Sequence, residues 1–287
     1  MRSPITWFGG KGNMTAKLLK LIPPHHTYVE PFGGGGSLLF AKKPSPVEVY
    51  NDLDSGLVNF FRVLRDPEKF ERFHRLVSFT PYSREEYNFC RETWEKCEDD
   101  VERAYRWFVV ARMSFGGFFG HSWGFAVTRS LRGMADPCSR WLSTIEGLPE
   151  IHARLMRVQI EHKDFREIFT IYDTPNTLFY CDPPYVPDTR RAGTYKHEMS
   201  LQDHSKLVEI LLKLKGKVLL SGYCHPVYEP LEQAGWRRYD YETACYAVGK
   251  TRKTGILGEG VAKEKQPRVE SVWVLPNAVW CEQLSLF

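Results

Sequence analysis

Two hydrophobic rhythms alternate along this chain of 287 residues. Thr27–Val29 is a short apolar run that enters a glycine stretch, Gly33–Gly36, followed by Ser37-Leu38-Leu39-Phe40; the pattern predicts strand, tight loop and helix. Val47–Tyr50 predicts a second strand ending at Asn51-Asp52. Ser55–Leu64 predicts a helix, with Leu57, Phe60, Phe61 and Leu64 three and four positions apart. From Pro81 to about Pro149 the rhythm changes. A charged helix over Ser83–Lys96 and an apolar helix over Val101–Met113 lead into a glycine-aromatic loop, Ser114–Phe125. The first rhythm then resumes. Thr177–Cys181 predicts a strand running into Asp182-Pro183-Pro184-Tyr185. Ser200 and Asp203 read as a helix cap and first turn, with Leu207, Leu211 and Leu214 on one helical face. Lys217–Ser221 and Val269–Leu275 predict two further strands. Strands alternating with helices imply an α/β fold, a mainly parallel sheet with helices on both faces, carrying residues 81–149 as an insertion.

Composition places the chain among ordinary globular proteins, with 43% hydrophobic and 26% charged residues. No uncharged run is long and apolar enough to span a bilayer; the longest, Met113 to Thr128, is broken by Gly, Ser and His. The opening MRSPITWFGGKG lacks the apolar core of a signal peptide. Seven scattered cysteines without a CxxC pair indicate neither a disulfide framework nor a zinc ribbon, so a reducing, cytoplasmic setting is expected. The nine histidines show no ligand spacing, and no metal is expected. The net charge of +4 is unevenly spread. Arg103–Arg140 holds six arginines and one acid, net +5, interleaved with Trp, Phe, Gly and Ser. Lys250–Arg268 holds six Lys or Arg against two Glu, net +4. Such segments suit a polyanion, although a merely solvated surface would look the same.

The strongest local signal is Asp182-Pro183-Pro184-Tyr185 after the strand. Ligands of open α/β sheets bind beyond the carboxyl ends of strands. Two prolines remove two backbone donors and stiffen the loop, leaving the Asp182 carboxylate and the Pro183 carbonyl as acceptors beside the Tyr185 ring. That combination suits an exocyclic amine on a planar heterocycle. The alternative is an Asp-capped proline turn. The second signal is Tyr28 to Ser37, a strand–loop–helix glycine run whose backbone can approach a ligand closely. No GK[ST] follows, and Leu38 stands where GxGxxG needs its third glycine. Glu30 would repel a pyrophosphate and welcome a cationic ligand. S-adenosylmethionine (AdoMet), with an ammonium, a sulfonium and no phosphate, fits that description. Asp52, 16 residues beyond Gly36, is placed to accept ribose hydroxyls.

Taken together, these motifs resemble the Dam-like DNA adenine N6-methyltransferases, in which cofactor region, target-recognition region and catalytic motif follow in that order. Ile5–Lys11 resembles the N-terminal motif that folds back over the cofactor. Residues 28–37 resemble the AdoMet loop, Tyr50–Asp54 the acidic motif, and His162–Phe165 the segment that holds the cofactor adenine. Asp182–Tyr185 matches DPPY, while Val218–Tyr223 and Glu270–Asn277 resemble later framework motifs. The resemblance implies a Rossmann-like AdoMet-dependent sheet formed by 1–80 and 150–287, with a mainly helical target-recognition insertion at 81–149. It implies Asp182, Pro183, Pro184 and Tyr185 as catalytic residues. Trp7, Gly10, Lys11, Glu30, Phe32, Gly33, Gly35, Ser37, Asp52, Asp164 and Phe165 would bind the cofactor. Lys11, Arg112, Arg129 and Arg132 are the candidates for double-stranded DNA, with Lys11 near a flipped base. The middle departs from the family: where GATC enzymes carry an Arg-Tyr-Asn loop, this chain has Arg112-Met113-Ser114-Phe115-Gly116-Gly117. GATC is therefore not carried over as the target. Other readings are an N4-cytosine methyltransferase, an RNA or protein-amide methyltransferase, and a catalytically silent DNA-binding regulator. Either a monomer or a homodimer is compatible with the sequence.

Overall fold

A computed structural model describes residues 1–7, 9–189, 197–244 and 267–275. In chain order its strands are β1 (Thr27–Glu30), β2 (Val47–Asn51), β3 (Ser130–Leu131), β4 (Met134–Ala135), β5 (Gln159–Glu161), β6 (Thr177–Cys181), β7 (Lys217–Gly222), β8 (Arg237–Ala244) and β9 (Pro267–Val274). The helices are α1 (Thr15–Leu19), α2 (Ser37–Ala41), α3 (Ser55–Arg65), α4 (Pro67–Ser78), α5 (Arg84–Thr93), α6 (Asp100–Met113), α7 (Asp136–Leu155), α8 (Phe165–Tyr172), α9 (Leu201–Leu211) and α10 (Glu229–Gln233).

Seven strands form one sheet in the order β5-β2-β1-β6-β7-β9-β8. Its first five members pair in parallel; β9 runs antiparallel to both β7 and β8. Successive residues of the inner strands belong to opposite cores. Tyr28, Tyr50, Leu178, Tyr180, Leu219 and Val272 pack on one face, and Val29, Val49, Phe179, Cys181, Leu220 and Trp273 on the other. Both faces are apolar because both are covered, which is why these strands read as continuous apolar runs. One core is completed by α8, α9 and α10 through Phe165, Ile168, Leu207 and Leu231. The other is completed by α2, α3 and the helices of the middle segment.

That middle segment, connecting β2 to β5, packs directly on α3. Trp107, Phe108 and Trp141 are buried against Phe60 and one another. The closest approach is at Gly56, where a Cβ would lie 2.5 Å from Trp107 Cδ1 and 2.7 Å from Trp94. Caps expected from the sequence are formed: Ser83 accepts from Glu86 N–H, and Ser200 with Asp203 makes a reciprocal capping box. α7 continues through Pro149. The chain order reverses between β1, which leads to β2 on one side, and β6, which leads to β7 on the other. This reversal opens a crevice beyond their carboxyl ends.

Candidate active site

Gly33–Gly36 links the end of β1 to α2 across that crevice. Gly33 N–H donates to Asn51 O at 2.7 Å, and a Cβ on Gly33 would lie 2.2 Å from the Tyr50 ring. Gly34 and Gly36 have left-handed φ of 48° and 63°. Asp52 fixes the loop: its Oδ2 accepts Gly34 N–H and its Oδ1 accepts Asp54 N–H, both at 2.8 Å. Burial raises the Asp52 pKa, with these two backbone donors working in the opposite direction. Glu30 ends β1, and its Oε1 accepts both Tyr28 O–H at 2.7 Å and Leu39 N–H at 2.9 Å. Burial nevertheless pushes its carboxyl up to about 8. Phe32 and Phe165 meet with ring centroids 5.1 Å apart. Asp164 caps α8 through Arg166 N–H, and the Arg166 guanidinium bridges Asp164 at 2.8 Å to Asp203 of α9 at 2.5 Å.

Asp182 follows β6 directly. Its Oδ1 lies 2.8 Å from Lys11 Nζ, in a pair whose side chains are 18% and 4% exposed. Lys11 belongs to the 3-10 turn Lys11–Asn13. It also donates to Gly9 O at 3.0 Å, and its ammonium sits 4.7 Å from the Tyr185 ring centroid. Glu270 of β9 presents Oε2 3.9 Å from the same ammonium. Burial pushes Asp182 up to about 6; Lys11 opposes this and Glu270 adds to it, leaving the group mainly ionised at pH 7. Burial disfavours the Lys11 charge, but Asp182, Glu270 and Tyr180 outweigh it and hold the pKa above the ordinary lysine value. Tyr185 is buried edge-on to Tyr223, with centroids 4.5 Å apart.

The structure brings every expected cofactor position onto this one cleft, from Trp7, Gly10 and Lys11 through Glu30, Phe32, Gly33, Gly35, Ser37 and Asp52 to Asp164 and Phe165, together with Asp182 and Pro184; Pro183 and Tyr185 of the expected catalytic set do not line it. Trp7 hangs over the glycine run: a Cβ on Gly35 would lie 3.1 Å from its Cβ. Sequence reasoning assigned no role to Arg166, Tyr180, His197 or Met199, which also line the cleft, nor to Glu270 beside it. Asp203 was legible only as a cap. Arg166 follows the Asp164-Phe165 pair directly, and that adjacency was the available signal. The lining carries seven carboxylates, Glu30, Asp52, Asp54, Asp164, Asp182, Glu198 and Asp203, against the cations Lys11 and Arg166. Among the described residues no group of three or more His, Cys, Asp or Glu could hold a metal ion.

The arginines proposed for DNA lie apart from this cleft. Arg112 is half-buried. It donates to Thr6 Oγ1 at 2.9 Å and Arg140 O at 3.4 Å, and burial lowers its pKa to about 10. Arg129 and Arg132 belong to the β3–β4 hairpin, whose turn places Arg132 at φ 56°. Arg129 pairs with Asp136, and Arg132 with Ser143 and Glu146. Phe115, Phe125 and Leu131 are exposed nearby in sequence. The basic stretch Lys250–Arg268 lies outside the described residues except for the backbone of 267–268 in β9, and Pro276–Asn277 are likewise outside.

Comparison with known proteins agrees with this geometry. Residues 7–241 match the family of D12 class N6 adenine-specific DNA methyltransferases. The chain is 28% identical over 244 residues to the type II methyltransferase M1.LlaDCHI of Lactococcus lactis subsp. cremoris, covering 78% of this chain and 82% of that one. It is 24% identical over 273 residues to the DNA adenine methylase of Salmonella typhi, covering 92% of each. A DNA N-6-adenine-methyltransferase of Escherichia phage P1 is 25% identical over 255 residues, which are 82% of this chain and 32% of that longer protein. No described helix is long and apolar enough to cross a membrane.

Proposed function

The chain belongs to the D12 class of N6 adenine-specific DNA methyltransferases, and from that premise we propose that Asp182–Tyr185 receive an adenine turned out of duplex DNA while the glycine-run cleft holds AdoMet. The observation that carries this reading is the carboxylate of Asp182, set at the end of β6 in the same cleft as Glu30, Asp52 and the glycine run.

The cleft suits the cofactor. Six lining carboxylates besides Glu30, whose carboxyl is mainly protonated at pH 7, would repel a phosphate and attract an ammonium or sulfonium. The glycine run leaves space that side chains would fill, so backbone can approach the ligand. Asp52 accepts the ribose hydroxyls, Phe32 and Phe165 flank the adenine, and Glu30 faces the amino-acid end. When bound, AdoMet supplies an electrophilic methyl on a positively charged sulfur.

The chain's task is to make a poor nucleophile adequate. The N6 lone pair of adenine is delocalised into the ring. Asp182 and the Pro183 carbonyl accept its two N–H groups and favour the pyramidal amine, whose lone pair points at the methyl. Asp182 would take the proton that the nitrogen sheds on methylation, and the positively charged sulfur of the cofactor would supply the leaving group. This is catalysis by positioning and preorganised acceptors. Tyr185 lies beneath Lys11 and off the cleft wall, so its stacking on the extruded base, worth about 1–3 kcal/mol, requires the ammonium to leave its ring.

Residues 81–149 serve as the target-recognition region in this reading, with 1–80 and 150–287 as the catalytic unit. Exposed Arg129 and Arg132 on a hairpin, beside an exposed aromatic loop, support that assignment. Modified-base sequencing of a methylation-free genome after expression of the chain tests the whole reading. N6-methyladenine at one recurring sequence, lost in Asp182→Ala, is the expected result; N4-methylcytosine or no modification overturns it.

A further inference from the structure

We propose that Glu270 is a positioning residue that takes the Lys11 ammonium away from Asp182 when the target amine arrives, freeing the carboxylate to accept N6–H. The inference rests on the reading of Asp182 as the amine acceptor and deepens it.

In the structure Asp182 is not a free acceptor. Lys11 donates to its Oδ1 at 2.8 Å and is almost wholly buried, so the ammonium cannot withdraw into water. An arriving amine must therefore compete with a charged donor for the same carboxylate, and charged donors bind carboxylates more strongly than neutral ones. Lys11 needs a second place to go. Glu270 Oε2 is sequestered from solvent, accepts no hydrogen bond among the described residues, and lies 3.9 Å from Lys11 Nζ. A shift of the ammonium by roughly 1 Å brings this contact into hydrogen-bond range. The backbone of Lys11 need not move. Gly10 N–H is tied to Trp7 O at 3.0 Å and Lys11 O to Met14 N–H at 2.8 Å, while the four-carbon stem swings. Glu270 itself is fixed on β9, opposite Tyr241 of β8, one residue before the Ser271–Gly222 pairing with β7.

Electrostatics favour a transfer over a departure. Lys11 is faced by Tyr180 from β6, Asp182 just after it, the Tyr185 ring, and Glu270 from β9. Asp182 in turn is faced by Lys11 and Glu270, and it couples to Glu30 of β1. Keeping the ammonium between two carboxylates leaves the cleft's charge unchanged while one of them turns to the substrate. Removing the Glu270 charge has two consequences of the same sign for Asp182: a repelling neighbour is lost, and Lys11 is left to Asp182 alone. Both lower the Asp182 pKa.

The test is a double-mutant cycle on the full chain with Glu270→Gln, Lys11→Met and the pair, read by single-turnover methyl transfer, AdoMet and DNA dissociation constants, and a pH profile. Glu270→Gln should slow single turnover by roughly tenfold or more with both dissociation constants unchanged, and should move the acid limb to lower pH. In the Lys11→Met background the same change should cost less than about twofold, because the Glu270 effect runs through the lysine. An unchanged rate, an unmoved acid limb, or an equal cost in both backgrounds overturns the proposal. Should Lys11→Met fail to fold, the rate and acid limb of Glu270→Gln decide alone. Asp182→Asn separates the two readings. If that variant still turns over, the assignment of Asp182 fails; if it is inactive while the cycle is additive, only the transfer fails.

Discussion

The cleft and the hairpin face are both rich in ion pairs, yet the pairs do different work. At the cleft, Lys11 and Asp182 are largely withdrawn from water, and each governs the protonation of the other. On the hairpin face, Arg129 is 63% exposed against Asp136 and Arg132 is 46% exposed against Glu146. The Arg132–Glu146 pair, exposed on both sides, contributes about 0–1 kcal/mol, while the buried Asp136 is shared with Arg140 and so stays paired when Arg129 leaves. Arginines so held can be surrendered to a phosphate or a guanine edge at small cost, whereas a partner removed from the cleft leaves a buried charge uncompensated. The same residue types can thus exchange partners with solvent or DNA on one surface, whereas in the cleft a charge can pass only between buried partners.

The strongest way to break this contrast is Asp182→Ala. It should reduce methyl transfer at least about 10²-fold while AdoMet affinity, by calorimetry, stays near the parental value, since the lost group faces the amine. Near-native turnover would show that the buried pair is not the reacting one. Next is Asp52→Ala. It removes the proposed ribose acceptor and also the anchor of Gly34 and Asp54 N–H, so AdoMet binding should weaken by about 1–3 kcal/mol. Titration calorimetry showing unchanged affinity would place the ribose elsewhere.

A pH profile gives the third test. The Asp182 pKa is raised to about 6, so the carboxylate accepts above that value and is lost by protonation below it. The single-turnover rate should fall by about tenfold per pH unit on the acid side of 6 and level off above it. An acid limb near the usual carboxylate value of about 4 would mean that the acceptor is more solvated than the cleft implies.

The arginines supply the smallest and most discriminating effects. Arg129→Ala or Arg132→Ala should leave stability within about 1 kcal/mol. If the residue reads a guanine edge, the change should cost about 1–3 kcal/mol at a single base pair. If it meets a phosphate, it should weaken all sequences alike and flatten the salt dependence by about one unit of slope. Arg112→Ala should do the reverse, leaving site preference intact and lowering Tm, because its guanidinium joins Thr6 to Arg140 O within the fold. Methylation of a randomised site library at two salt concentrations, with thermal melts, separates these outcomes.

Much of the sheet was legible in the chain. β1, β2, β6 and β7 are apolar on both faces, and each stands beside a glycine, an acid or a proline that ends it. β5 and β8 were not anticipated, for physical reasons. β5 is three residues long at one edge, and β8 at the other edge alternates charged and tyrosine positions that need β9 to declare them a strand. The expected boundary of the inserted segment at Pro149 falls inside α7, which passes through that proline, held by Trp141, Ile145 and Ile151 in the core.

Residue types and their order determined the chemistry on offer: acceptors after a strand, a glycine loop beside Glu30 and Asp52, and basic segments elsewhere. They determined it because each motif is local, its members only a few residues apart. Which charges meet is a question of distance between remote positions, and the tertiary structure alone decided it. Lys11, expected at DNA and cofactor alike, is brought by the sheet to Asp182, 171 positions away, and to Glu270 beyond it. Arg112, expected on DNA, meets Thr6, 106 positions away, across the fold. A buried charge is defined by its neighbours, and neighbours across a sheet leave no spacing in the chain to read.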